Sequence, residues 1–350
     1  MSRSTLRALA LAGLLATPLL SGCGLLGAAG RAGGSLFASP RPVKKLTNAV
    51  DRNARLSVLW VGHATALIQI DDKLVLTDPV FTTTVGQVSK RLVEPGFDAE
   101  NLPALDAVLI SHVHFDHLSL GSLETLESKV RMLLMPRGGV TYLTDFSFPV
   151  LELRTWQAYE KDGLRITATP VDHVGFRYGS DGSWSGESFT GYVIEYHGLK
   201  VYFGGDTAYD QKLFVDTGQR FPGIDVALLP IAPIEPREFM RVYHTDPGEA
   251  VQAFFDLGAK RMVPVHYDTF INSTDVPGDA LKALDVAKKK WDLGTREAVT
   301  GVAGDRPFLA NFGEGPSSAP SASPAPAPAP ATKPAPAPPK NDVPDDDKLD

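Results

Sequence analysis

One cysteine, Cys23, stands in a chain of 350 residues. No disulfide can form within it, so the fold must be held by its core. Lysine and arginine form no cluster or stripe, which argues against nucleic acid as a partner. No apolar run reaches the ~18–20 residues that an ordinary transmembrane helix needs. Excess charge is also slight: the formal net charge is -7, which says little about a substrate. Hydrophobic residues make up 43% of the chain, enough for a sizeable core, and the length suits one large domain or two ordinary ones.

Both ends read as something other than fold. Arg3 and Arg7 give a basic start, and an apolar run follows from Leu6 to Leu20. It has the length of a secretory signal core. It ends in Leu20-Ser21-Gly22-Cys23, which resembles a bacterial lipobox. The resemblance implies a cleaved signal over residues 1–22, lipid on Cys23 and attachment to a membrane of the bacterial cell envelope. Gly24 after the cysteine favours the outer membrane. A Gly/Ala-rich tether is expected over 23–45. From Glu314 the chain turns to Ser, Ala and Pro, and then to an acidic end. Alternating proline excludes helix, so 314–350 is expected to be a disordered tail. One domain remains, 46–313.

That domain alternates short apolar runs with turn signals. Strands are expected at Leu56–Val61, Ala66–Ile70, Lys73–Thr77, Ala107–Ser111, Arg165–Thr169, Asp225–Pro230 and Met262–Val265. Gly191–Tyr196 and Lys200–Phe203 form an expected hairpin about His197-Gly198. The clearest helix starts at Asp246, with Pro247 at its first position and Glu249 completing a capping box, and stops at Gly258. A second covers Ser122–Ser128. Strands with interleaved helices predict an α/β fold, a sandwich of mixed sheets flanked by helices.

The strongest chemical signal is Ser111-His112-Val113-His114-Phe115-Asp116-His117. Three imidazoles and a carboxylate at a strand end cost desolvation and add little packing. Neutral imidazole and carboxylate are good ligands for zinc and similar divalent ions. His112 and His114 can converge on one ion, and Asp116 and His117 can reach another beside it. His173, Asp206 and His266 each follow an apolar run. Singly each reads as an ordinary polar loop residue; beside the cluster they complete two metal shells.

The motif and these three residues resemble the signature of the metallo-β-lactamase fold, an αββα sandwich of two mixed β-sheets flanked by helices. The resemblance implies two divalent ions, zinc by preference. One goes to His112, His114 and His173, the other to Asp116, His117 and His266, and Asp206 bridges them. Within the superfamily, several segments resemble N-acylphosphatidylethanolamine-hydrolysing phospholipase D. They include Trp60-Val61-Gly62-His63-Ala64-Thr65, Leu76-Thr77-Asp78-Pro79, Gly205-Asp206-Thr207-Ala208-Tyr209 and Phe221–Pro230. Glu235-Pro236-Arg237-Glu238-Phe239-Met240, Tyr243-His244-Thr245-Asp246-Pro247 and Val265-His266-Tyr267-Asp268-Thr269-Phe270 belong to the same set. The resemblance covers roughly 56–275 and implies a phosphodiesterase acting on phospholipids.

Asp116 and His244 are then the candidate catalytic residues. His63 and Asp78 are expected to line the site, Asp78 by orienting a ligand. Arg237 could hold a phosphate, but the expectation is that it holds a carboxylate in the core; His197 is expected to have no role. Val174 departs from the pattern, which has an aromatic after the residue matching His173. Gly175–Ser188 reads as a Gly/Ser-rich loop of this chain's own. Both fall where substrate would touch, so two alternatives stand: a lactonase-type hydrolase of a small polar ester, and a non-catalytic metal-binding envelope lipoprotein.

Overall fold

The computed structural model describes residues 39–51, 54–86, 89–178, 187–291 and 293, and the backbone of two further strands at 297–298 and 309–311. The signal, Cys23, most of the tether, the tail and residues 179–186 of the Gly/Ser-rich stretch lie outside the described residues.

Two seven-stranded sheets make the body. The first contains β1 (Leu56–Gly62), β2 (Thr65–Ile70), β3 (Lys73–Thr77), β6 (Ala107–Leu109), β7 (Leu133–Pro136), β8 (Val150–Leu153) and β16 (Leu309–Asn311). Its order is β16-β1-β2-β3-β6-β7-β8, antiparallel as far as β3 and parallel from there to β8. The second contains β9 (Ala158–Lys161), β10 (Leu164–Thr169), β11 (Gly191–Tyr196), β12 (Leu199–Phe203), β13 (Val226–Pro230), β14 (Arg261–Val265) and β15 (Glu297–Ala298). It runs in the order β15-β14-β13-β12-β11-β10-β9 and changes from parallel to antiparallel at β12. β4 (Thr84–Val85) and β5 (Ser89–Lys90) pair as a small separate ribbon.

The period of two along β1 shows why the layers stack. Leu56, Val58 and Trp60 join a core shared with Ile166, Tyr192, Ile194 and Phe203 of the second sheet. Leu59 and Val61 point the other way, into a core with Leu123 and Leu126. All seven β1 residues are buried, as expected for a strand covered on both faces. Each large aliphatic side chain so buried stabilises the fold by about 1.5–3 kcal/mol.

The helices are α1 (Leu120–Leu126), α2 (Gln211–Arg220), α3 (Arg237–Met240), α4 (Pro247–Asp256) and α5 (Asp279–Lys290). α1 is the helix expected at Ser122–Ser128, starting earlier because Ser119 caps it and continuing into a 3-10 turn at Glu127–Lys129. The capping box of α4 is present: Glu249 N donates to Asp246 and Asp246 N to Glu249. α2 and α5 were not expected. Gly218 disguises α2 by interrupting its helical pattern, yet a Cβ there would lie 2.6 Å from Leu257 O, so the glycine lets α2 lie close against the end of α4. In α5, Ala280, Leu284 and Ala287 are buried at helical spacing, a legible signal.

The hairpin of β11 and β12 turns at His197 and Gly198, both with positive φ, the conformation a two-residue turn requires. Arg41 pairs with Val93, so the packed chain reaches back into residues assigned to the tether. No helix among the described residues is long and apolar enough to cross a membrane.

Candidate metal centre

Strand ends deliver the donors to one edge of the sandwich. His112–His117 follow β6, His173 follows β10, Asp206 follows β12 and His266 follows β14. Gly205, at φ 57°, makes the turn before Asp206; a Cβ there would fall 2.4 Å from that of Ser111. His63, Asp78 and His266 also have positive φ, at 55°, 33° and 63°. Such strain in non-glycine residues persists only where the surroundings over-determine it, and it gathers at functional sites.

Asp206 Oδ2 is the centre of the cluster. It lies 3.1 Å from His266 Nε2, 3.2 Å from His117 Nε2, 3.6 Å from His244 Nδ1 and 3.9 Å from His112 Nε2. Around it, donor atoms within 4.8 Å of one another form four overlapping sets. These are His112, His114 and His173; His63, Asp116, His117 and His266; His112, His117 and Asp206; and Asp206, His244 and His266. The structure therefore brings together all seven residues singled out as metal ligands. It adds His63 and His244, which sequence reasoning had placed beside the shells.

Most of the imidazoles are aimed from behind. His117 Nδ1 donates to Asp78 (2.6 Å), His173 Nδ1 to Tyr243 O (2.9 Å) and His266 Nδ1 to Ala232 O (3.0 Å). Ser111 Oγ donates to Asp78 (2.6 Å), leaving its lone pair 3.0 Å from His112 Nδ1. A histidine that donates from Nδ1 keeps the Nε2 lone pair for a metal. Asp78 thus fixes the His117 ring, and Ser111 links that carboxylate to His112. Ser111 went unnoticed because its role depends on β3 and β6 lying side by side.

The donors fit divalent ions. His114 Nε2, His117 Nε2, His173 Nε2, His266 Nε2 and Asp206 Oδ1 are buried and make no hydrogen bond. Orphaned buried polar atoms are costly, and five spread over these overlapping donor sets call for cations. Charge agrees. Burial alone would raise Asp206, but His266 and His117 hold its carboxyl well below the usual range. Burial opposes charge on His266, yet Asp206 and Asp116 lift it to about 9. Burial pushes His63 down to about 3 and His244 to about 4, and holds His112 and His173 well below the ordinary value.

His63 is fixed on three sides: its N–H donates to Thr269 Oγ1 (2.8 Å), and its carbonyl accepts from Trp60 Nε1 (2.8 Å) and His266 N (2.9 Å). Its Nε2 donates to Asp116 at 3.0 Å. Arg237 pairs with Glu249 and Asp246 and donates to His244 O, so it braces the entry to α4 away from the donors. His197 lies in the β11–β12 turn, where its Nδ1 donates to Asp71 of the β2–β3 turn at 2.9 Å.

Residues 73–267 match the beta-lactamase superfamily domain. The chain belongs to the beta-lactamase superfamily. An uncharacterized protein of Mycobacterium tuberculosis is 35% identical over 230 residues, 62% of this chain. The chain spans 60% of the length of that relative. N-acyl-phosphatidylethanolamine-hydrolyzing phospholipase D 1 of Caenorhabditis elegans is 31% identical over 288 residues, 75% of this chain and 78% of the relative. Among solved structures, a metallo hydrolase from Ignicoccus hospitalis, Igni18, superposes with a TM-score of 0.54 at 20% identity, over 74% of this chain and 98% of that one. That likeness shows the fold, the metallo-β-lactamase sandwich expected from the motif. The chain thus joins the superfamily's fold to a His/Asp donor set able to hold metal.

Proposed function

We propose that this chain is a hydrolase, a phosphodiesterase of phospholipids that works with two divalent ions, zinc in the native protein. The observation that carries the reading is the placement of Asp206 Oδ2 within 4 Å of four imidazoles drawn from both sides of the cluster. One ion would be held by His112, His114 and His173, and the other by Asp116, His117 and His266, with Asp206 shared. What such ions supply when bound is Lewis acidity and a water pKa lowered towards ~7 from 15.7 in bulk.

The chain's own residues do the rest. Asp206 and Asp116 bring the negative charge that concentrates cations at one edge. His244 stands at the rim with its side chain 15% exposed, placed to give the hydrogen bond of a neutral imidazole to the leaving oxygen of a phosphodiester. The neighbouring surface is apolar: the Phe176 ring lies 4.8 Å from that of His114, and Tyr178, 61% exposed, lies 5.7 Å from Phe115. An acyl chain suits that surface better than a small polar ester does. The name of the nematode relative points the same way. A lipid on Cys23 would hold the site beside such a substrate in the cell envelope.

Metal-loaded protein assayed on N-acylphosphatidylethanolamine, simpler phospholipids and a panel of lactones tests the reading. Release of phosphatidic acid or its N-acylethanolamine partner is expected. Turnover confined to lactones would replace it with the lactonase reading, and no turnover on any of them would favour a metal-binding lipoprotein without catalysis.

A further inference from the structure

Four of the five donor histidines are oriented by groups outside the donor set: His112 by Ser111, His117 by Asp78, His173 by Tyr243 O and His266 by Ala232 O. His114 has no such bond; its Nδ1 meets His112 Nε2 at 2.8 Å, and its ring packs on Phe176. Among the described residues the Asp116 carboxylate meets the imidazoles of His63, His117 and His266, His63 nearest. Both residues therefore depend on their backbone. They share one tight turn, closed by bonds from His117 N (3.1 Å) and Leu118 N (2.9 Å) to His114 O.

A guanidinium spans that turn. Arg177 Nη1 donates to Val113 O and to Leu118 O, each at 2.9 Å, and so ties the residue before His114 to the residue after His117. Its carbon sits 4.2 Å from the centre of the Phe115 ring, on the same turn. Arg177 is only 7% exposed. It comes from the segment just after His173, where Gly175 lies against Ser188 so closely that a Cβ would be 2.6 Å from Ser188 O. Hydrogen bonds from a charged donor are stronger than neutral ones, and a planar guanidinium can stack while it donates.

We propose that Arg177 is a positioning residue for both metal ions: by bracing the two ends of the 113–118 turn it sets the aim of His114 and Asp116, one donor from each shell. Nothing in the sequence marked it, because it sits in a Gly/Ser-rich stretch that reads as surface loop. The proposal rests on the two-ion reading above. Should the unaltered protein bind fewer than two ions, that reading falls first and independently of Arg177.

The test is zinc titration of the metal-free full chain against a competing chelator. Arg177→Met keeps the stem and removes the donors. It should weaken binding of both ions on the order of 10–100-fold, the usual cost of losing a group that orients ligands. Arg177→Lys restores charge without the plane and should recover part of the loss. Leu284→Ala, a buried change in α5, controls for general destabilisation and should bind zinc as the unaltered protein does. Unchanged affinity in Arg177→Met, or an equal loss in Leu284→Ala, overturns the proposal. If Arg177→Met yields no folded protein, Arg177→Lys decides alone: unaltered affinity for both ions overturns the proposal, and a loss supports it.

Discussion

Asp78 Oδ2 lies 2.6 Å from His117 Nδ1, and both side chains are shut off from solvent. The same carboxylate accepts from the N–H and Oγ of Ser111, whose Oγ adjoins His112. One residue of β3's end thus steers imidazoles assigned to two different ions. Asp78→Ala should lower zinc affinity on the order of 10–100-fold. Titration against a chelator measures this, and an unchanged affinity would reduce Asp78 to a packing role.

Asp206→Ala should abolish hydrolysis and lower the metal content while leaving the fold largely intact. Oδ2 lies close to imidazoles from both proposed shells, so its loss harms both. Elemental analysis beside circular dichroism checks the pair of outcomes. Two ions retained with near-normal turnover would show that Asp206 is not shared.

His244→Ala should keep both ions and lose rate on the order of 10²–10⁴-fold on a lipid substrate, the range for general acid–base help. A p-nitrophenyl phosphodiester, whose leaving group needs little protonation, should lose less. Because His244 Nδ1 sits in a donor set with Asp206 and His266, loss of an ion in the variant would instead make it a ligand.

Cys23→Ser should release the protein from membranes. The basic start, the apolar run and the Leu-Ser-Gly-Cys ending motivate this. Fractionation of cells producing the variant is the measurement; protein still in the membrane fraction after cleavage of its leader would count against a lipid anchor.

Much of the site could be read before any coordinates. The run His112–His117 announces itself because it sets several expensive polar groups at the end of one apolar run, and Asp206 and His266, unremarkable singly, become legible beside it. The strands were legible for a related reason: β1 and β11 are mostly apolar and bounded by turn chemistry. What stayed hidden depends on distance in sequence. Ser111 matters because β3 lies beside β6, and Tyr243 O because the entry to α4 folds over His173. Arg177 matters through two carbonyls about sixty residues away, as its sequence separations of 64 and 59 show. α2 was missed because Gly218 serves its packing rather than its helicity.

The donors are divided between the two halves of the sandwich. His112, His114, Asp116 and His117 belong to loops of the first sheet, and His173, Asp206 and His266 to loops of the second. At the opposite edge the halves are joined without metal: Tyr196 OH donates to Asp72 at 2.9 Å, and Arg55 reaches His197 O at 3.3 Å. The molecule is thus like a book with a bonded spine and a clasp along its fore-edge. The fore-edge is also stitched by the protein itself, since His266 N donates to His63 O, Thr190 N to Ser111 O, and Arg177 to Val113 O and Leu118 O. Stripping ions from such a clasp would leave the pages shut and the buried donors facing one another without a partner, so a chelator would act on the aim of the imidazoles rather than on the closure of the book.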